Sequence, residues 1–419
     1  MTHALSSNAK DLIDRFTNRT AAVGVIGLGY VGLPLVMEMV ETGYKTIGFD
    51  VDESKVDQLN RGQSYIGHIP ADRVIEIRRD GRFEATTDYG RLADVDAIVI
   101  CVPTPLNESR EPDLSYVCAT GEAIGRHLRK GQIVILESTT YPGTTEDVLL
   151  PLVAREGFQV GQDFYLVYSP EREDPGNPDY TTRTIPKVLG GVTPTCRAVG
   201  EAFYSQVFER VVTVSSAAAA EMSKLLENIY RAVNIALVNE LKILGDRMGF
   251  NIWEVIEAAS TKPFGYHPFY PGPGWGGHCI PIDPFYLTWK ARQYGFATRF
   301  IELAGEINTD MPRFVVEKII KTLADRGVPI GGARVLVLGM AYKRDVDDPR
   351  ESPAIKVVEL MREWNMEVSY HDPYIPHFPA GRHGDLGLSS VELTPQTLTD
   401  ADAVLVLTDH SCIDYQEVV

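Results

Sequence analysis

Residues 21–50 read AAVGVIGLGYVGLPLVMEMVETGYKTIGFD, and this stretch decides the fold. AAVGVIGLG is an apolar run entering a glycine turn, YVGLPLVMEMVETG carries apolar residues at helical three-to-four spacing, and YKTIGFD is a second strand. The segment is therefore a βαβ unit. Gly27, Gly29 and Gly32 have the G-x-G-x-x-G spacing between strand and helix, and Asp50 ends the next strand. Such glycines allow a tight turn and close approach of a pyrophosphate to a helix N-terminus, while a terminal carboxylate accepts hydrogen bonds from ribose hydroxyls. An acid there repels a 2′-phosphate, so the pattern predicts NAD rather than NADP.

Working outward, DAIVICV (96–102), GQIVILES (131–138) and FYLVYSP (164–170) read as further strands separated by helical stretches. The first part of the chain is thus expected to be a doubly wound parallel sheet. Near Ser215 the texture changes. Met222, Leu225, Ile229, Val233, Leu237, Leu241 and Leu244 recur at helical spacing up to a stop at Gly249, predicting a helix long enough to be a spine between domains and apolar enough to be a dimer surface. From Ala333, ARVLVLGMAYK followed by ESPAIKVVELMREWNMEVSYHDPY repeats the order strand, glycine turn, helix, strand, acid, and TDADAVLVLTDH then parallels the strand at 96–102. Two copies of a nucleotide-binding half-fold imply two nucleotide ligands, although βαβ units also resemble one another by physics alone. The fold class expected is α/β, two Rossmann-like doubly wound parallel-sheet domains joined by a long central helix. The plan is an N-terminal extension (1–20), a cofactor domain (21–214), a helical region with the cysteine loop (215–320) and a second Rossmann-like domain (321–419).

The whole chain sets limits. Its 419 residues exceed one ordinary core, and a net charge of -17 argues against a nucleic-acid groove or an anionic membrane surface. MTHALSSNAKDLIDRF lacks a basic, then apolar leader pattern, and no apolar run approaches the ~20 residues that span a bilayer, so a cytoplasmic location is expected. The five cysteines are scattered, which fits neither a disulfide framework nor a zinc site and leaves room for a working thiol. His278, His371, His377 and His383 lack metal-ligand spacing, so no metal is assigned.

Several segments carry candidate chemistry. The loop PFGYHPFYPGPGWGGHCIPIDP (263–284) is too rich in glycine and proline for helix or central strand and suits a substrate clasp. Cys279 inside it is a strong nucleophile for an aldehyde, giving a thiohemiacetal from which a second hydride can leave, although most cysteines are merely small buried thiols. Lys224 and Asn228 are four apart on the long helix and share a face, and Asp283 follows Cys279 by four, where it can pair with the lysine or a water. By spacing alone a helical lysine is usually solvated. Ser138, Thr139 and Thr140 follow one strand and Glu171 another, at the carboxyl ends where parallel sheets bind ligands. Lys343 and Arg350 lie in the strand-to-helix turn of the second half-fold, placed to neutralise a diphosphate.

Taken in order, GVIGLGYVGLPL, CVPTP, ESTTYPGT, SPERxDPGN, SKLLENIYRAVNIALVNE, GGHCIPID and GMAYKxDxxDxRESP make the chain resemble the UDP-glucose/GDP-mannose dehydrogenase family from Ala21 to the C-terminus. The resemblance implies that Cys279 is the nucleophile, that Lys224 and Asp283 with a water handle the alcohol proton, and that Asn228 helps hold the oxyanion. Thr139 resembles the threonine beside nicotinamide and water, Glu171 the acid of thioester turnover, and Arg350 an arginine reaching NAD. It further implies that Leu28, Tyr30, Val31, Lys55, Pro103, Thr104 and Ser138 complete the cofactor site. Tyr266, Gly272, Gly276, Tyr342 and Lys343, with Glu171, Lys224 and Asn228, are implied at the nucleotide-sugar. SPEREDPGN and the loop before Cys279 are most similar to the UDP-N-acetylglucosamine 6-dehydrogenase branch, which feeds surface polysaccharide synthesis, with UDP-N-acetylmannosamine and UDP-glucose as alternatives. Pro175 and Ile282 replace an acid and a lysine of the UDP-glucose enzymes, so those roles do not transfer. The sequence also stops at DYQEVV, before the last strand of the family pattern and its arginine. The resemblance implies an NAD-dependent four-electron oxidation at C6 by a homodimer or higher homo-oligomer. A single-hydride hydroxyacid dehydrogenase would not need Cys279, and a non-catalytic nucleotide-sugar-binding regulator would need neither Cys279 nor Lys224.

Overall fold

The computed structural model describes residues 5–67, 69–79, 81–107, 111–172, 180–277, 280–378 and 386–418. The chain divides into two compact units, residues 1–227 and 228–419. Unit one contains α1 (Ser7–Thr17), β1 (Ala22–Ile26), α2 (Gly32–Thr42), β2 (Lys45–Phe49), α3 (Glu53–Asn60), α4 (Ala71–Arg79), β3 (Phe83–Thr86) and β4 (Ala97–Ile100). It continues through α5 (Ser115–His127), β5 (Gln132–Leu136), α6 (Leu150–Val153), β6 (Phe164–Tyr168), β7 (Lys187–Gly191), α7 (Pro194–Tyr204), β8 (Val211–Val214) and the first turns of α8 (Ala217–Met248).

The strands form one eight-stranded sheet in the order β3-β2-β1-β4-β5-β6-β7-β8, with the strand order reversing between β1 and β4. Consecutive residues on a strand enter opposite cores: Val25 and Val99 pack on one face with Leu33 and Val36 of α2, Ile26 and Ile100 on the other with Val117 and Ile124 of α5. Burial on both faces explains why these strands read as unbroken apolar runs. The sheet departs from the all-parallel expectation at β7, which runs antiparallel to β6. No helix lies among the described residues between β6 and β7, and without a crossover the chain returns antiparallel. The segment before β1 belongs to this core: α1 buries Leu12 and Phe16, Phe16 packs 4.9 Å from Phe203 of α7, and Arg15 reaches the buried Asp96.

Unit two takes the rest of α8, then α9 (Ile252–Ser260), α10 (Asp283–Gln293), α11 (Arg299–Asp325), β9 (Arg334–Leu338), α12 (Pro353–Glu363), β10 (Glu367–His371), α13 (Pro395–Asp400) and β11 (Ala403–Val406). Its sheet is parallel in the order β10-β9-β11, matching β2-β1-β4 of unit one. Its core joins Val335 and Val337 to Val357, Val358 and Met361 of α12 and to Leu323 of α11. Among the described residues no helix is long and apolar enough to cross a membrane.

Candidate active site

The glycine turn after β1 is fixed by backbone geometry. Gly27 has φ +91° and donates its N–H to the Phe49 carbonyl at 2.7 Å. A Cβ on Gly27 would stand 2.5 Å from the Cys101 carbonyl oxygen and one on Gly32 1.8 Å from the Gly27 carbonyl oxygen, whereas one on Gly29 would meet nothing within 4 Å. Helix α2 starts at Gly32 behind Val31, with no side chain capping it. Open space over Gly29 beside an uncapped helix start is what a diphosphate needs, because first-turn N–H groups and the helix dipole both attract an anion. Leu28 is buried and donates its N–H to Asp50 Oδ2 at 2.9 Å; Asp50 Oδ1 accepts from the Asp52 N–H at 3.0 Å, and Lys55 Nζ stands 3.6 Å away. The Tyr65 hydroxyl donates to the Leu28 carbonyl. Tyr30 and Pro103 are exposed at the mouth and Val31 and Thr104 half-buried. Ser138 donates to the Val102 carbonyl at 2.7 Å and so ties the loop after β5 to the one after β4. These residues fit a dinucleotide laid across the reversal of strand order.

Three side chains of α8 hold the loops at the carboxyl ends of β5 and β6. Lys224, 6% exposed, donates to the Glu171 backbone carbonyl at 2.7 Å with its Nζ 4.0 Å from Glu171 Oε2. Glu227 pairs with Arg172 at 2.8 Å, and Arg172 also donates to the Pro186 carbonyl at 2.6 Å. Glu221 is fully buried and accepts from Gly143 and Thr145, past the half-buried Thr139 and the buried Thr140. At the start of that loop Glu137 is held by the Lys187 ammonium at 2.9 Å and by the Tyr204 hydroxyl. Burial drives the Tyr204 phenol well up from its ordinary value, so it stays a donor. A cleft lined by Val31 and Leu35 of α2 with Glu137, Glu171, Arg172 and Lys187 lies at this end of the sheet.

In unit two the structure brings Asn228 and Asp283 together: Asn228 Nδ2 donates to Asp283 Oδ2 at 2.5 Å, and both are buried. Asp283 opens α10 directly after the cysteine loop. Cys279 and Pro175 lie outside the described residues. The loop ahead of Cys279 is anchored at Gly272, whose N–H donates to Asn239 Oδ1 at 3.0 Å; Asn239 donates in turn to Asn308 at 2.8 Å, and Asn308 to the Ala232 carbonyl at 3.1 Å. Gly276 and Gly277 press on Tyr342: a Cβ on Gly276 would stand 3.1 Å from the Tyr342 Cβ and one on Gly277 3.0 Å from its ring. Lys343 is half-buried, Tyr266 is 40% exposed, and Arg350 makes two 2.8 Å hydrogen bonds to Asp348. Among the described residues no three His, Cys, Asp or Glu side chains gather as a metal site.

Residues 21–208 match the NAD binding domain of the UDP-glucose/GDP-mannose dehydrogenase family, residues 218–310 its central domain and residues 336–419 its UDP binding domain. The chain belongs to this family. It is 36% identical over 357 residues to UDP-N-acetyl-D-glucosamine 6-dehydrogenase of Pseudomonas aeruginosa, covering 84% of this chain and 83% of that one. It is also 36% identical over 400 residues to UDP-N-acetyl-D-mannosamine dehydrogenase of Yersinia pestis, covering 93% of each. The solved UDP-D-ManNAc dehydrogenase of Pyrococcus horikoshii superposes with a TM-score of 0.84 at 33% identity, over 95% of this chain and 92% of that one. The protein is an NAD-dependent UDP-sugar dehydrogenase, with its NAD-binding domain at the glycine turn of β1 and a UDP-binding domain around β9. Sequence reasoning passed over four of the dehydrogenase's buried polar residues: Glu137, Lys187, Tyr204 and Glu221. Glu137 had a local signal, standing directly before Ser138 and Thr139; the others are recognisable only through tertiary contacts.

Proposed function

We propose that this dehydrogenase oxidises the C6 alcohol of UDP-N-acetylglucosamine to the carboxylate in two oxidations through a thioester on Cys279. One observation carries the reading: within the first unit the buried Lys224 of α8 is hydrogen-bonded at Glu171, at the carboxyl end of β6 where such a sheet takes its ligand. A buried ionisable group at a ligand-binding edge is a candidate for proton transfer. NAD supplies the hydride acceptor at each oxidation. Lys224 and Asp283, with water, take the C6 hydroxyl proton, Asn228 helps hold the oxyanion, and Thr139 stands beside the nicotinamide and that water. The Cys279 thiolate adds to the aldehyde carbon and retains it as a thiohemiacetal, and Glu171 directs water onto the thioester that the second oxidation leaves. The remaining assignments at the cofactor, including Lys55, Ser138 and Arg350, and at the sugar nucleotide, including Tyr266, Gly272, Gly276, Tyr342 and Lys343, belong to the same proposal, as does the four-part domain plan.

The UDP-N-acetylmannosamine epimer is the second reading, favoured by the 36% identity to a relative of that name over 93% of the chain. Leu237, Leu241, Leu244 and Met248 of α8 are exposed at helical spacing, which supports a homodimer or higher homo-oligomer; a cytoplasmic location is part of the same proposal. Steady-state rates with UDP-N-acetylglucosamine, UDP-N-acetylmannosamine, UDP-N-acetylgalactosamine and UDP-glucose test the assignment. A pocket built around an acetamido group rejects a sugar lacking it strongly, by a factor on the order of 10⁴. A higher kcat/KM for UDP-glucose would refute the amino-sugar assignment, and no NADH from any of the four would favour the regulator.

A further inference from the structure

The loop after β5 carries Ser138 and Thr139 and ends in a π-helical turn, Thr144–Leu149, entered through Gly143 at φ +100° with no side-chain cap of its own. Its leading N–H groups are satisfied from another element. Glu221 Oε2 accepts from the Gly143 N–H at 2.6 Å, and Oε1 accepts from the Thr145 N–H at 2.9 Å and the Thr145 hydroxyl at 2.7 Å. Glu221 and Thr145 are both fully buried. Glu221 lies three residues before Lys224 on α8, so the two share one face of a rigid element. Burial pushes the Glu221 carboxyl up from its ordinary value, while the Thr145 and Gly143 donors pull it back. A Ser or Asn cap inside the loop would satisfy the same donors without burying a charge. A carboxylate on α8 does what a local cap does not: its two oxygens fasten the loop to the helix turn that carries the lysine.

We infer that Glu221 is a positioning residue of the oxidation, holding the Thr139 loop and Lys224 in one register. The inference rests on the reaction proposed above. In the full-length enzyme, E221Q keeps the side chain's shape but turns an N–H toward one of the loop's donors whichever way the amide lies. The expected result is a melting temperature within a few degrees of wild type and a kcat lowered by a factor on the order of 10², as a misplacement of about 1 Å produces. Equilibrium affinity for UDP-N-acetylglucosamine falls by a much smaller factor than kcat, and amide exchange at Gly143 and Thr145 rises at least about tenfold. Thr145→Val, which removes one donor and spares the charge, lowers kcat by a smaller factor and serves if E221Q does not fold. A wild-type kcat in a folded E221Q, or a loss confined to KM, overturns the inference. If wild type forms no NADH from any UDP-sugar, the reaction reading fails on its own. The tie is then judged by exchange, and unchanged protection at Gly143 and Thr145 in E221Q overturns it.

Discussion

The two nucleotide half-folds begin identically and end differently. Gly27 and Gly339 have φ of +91° and +83°, and each donates its N–H to the last carbonyl of the neighbouring strand, Phe49 at 2.7 Å and His371 at 2.9 Å. The next N–H meets the acid that follows: Leu28 to Asp50 at 2.9 Å, Met340 to Asp372 at 2.7 Å. Beyond this point α2 starts at once and uncapped, whereas α12 starts only after the loop 340–352 and is capped by its own Ser352. Asp372 also accepts from Ala341 at 3.1 Å, Tyr374 at 2.8 Å and Ile375 at 3.1 Å, with His410 Nε2 3.1 Å away. His410 Nδ1 faces the Asp345 N–H at 3.0 Å, which assigns the ring proton to Nε2 and makes His410 a donor to Asp372. Asp50 accepts from two backbone N–H groups of its turn, Leu28 and Asp52, fewer than Asp372 does. One turn thus has two outcomes: the first half-fold leaves the start of its helix without a side-chain cap, while the second locks its acid internally and inserts a loop before its helix.

The sharpest way to break the comparison is Gly32→Ala. Its Cβ falls 1.8 Å from a backbone oxygen, so the turn must open, and NAD affinity should drop by a factor on the order of 10² while UDP binding by calorimetry stays put. Loss of both affinities together would mean a general collapse. The two acids come next. Asp372→Ala strands buried donors and should cost about 3–5 kcal/mol in urea titrations, with Asp50→Ala costing much less stability but about tenfold in NAD affinity and narrowing the gap to NADP. Equal stability losses would erase the distinction drawn between them. The smallest effect is the acid limb of stability. Burial pushes the Asp372 carboxyl up, but hydrogen bonds from His410, Met340 and Tyr374 bring it below its ordinary 3.8. A depressed carboxyl adds stability above its unfolded value and loses it as pH falls through the folded one, so unfolding free energy should decline below pH ~4. Asp372→Asn should flatten that limb, and a slope equal to wild type would assign it to other carboxylates.

Residues 22–50 displayed strand, turn, helix and acid because each is written in local chemistry: apolar runs, glycine where φ is positive, a carboxylate at a strand end. The repeat near 333–372 and the length of α8 were legible for the same reason. What stayed hidden depends on partners distant in sequence. His410 meets Asp372 38 residues upstream, and Glu221 meets Thr145 76 residues upstream. In isolation one is a loop histidine and the other an ordinary helical charge. The antiparallel β7 was hidden because a buried strand reads alike in either direction, and Lys187 at its start resembles a solvated lysine until Glu137, Tyr204 and Phe208 enclose it.

Counting NADH against sugar tests the account at its centre. With UDP-N-acetylglucosamine limiting and NAD in excess, absorbance at completion measures NADH formed, and mass spectrometry identifies the product. Retention of the aldehyde on Cys279 through a second oxidation predicts about two NADH per sugar, with a uronic acid as the released species. One NADH per sugar with free aldehyde released would contradict the account.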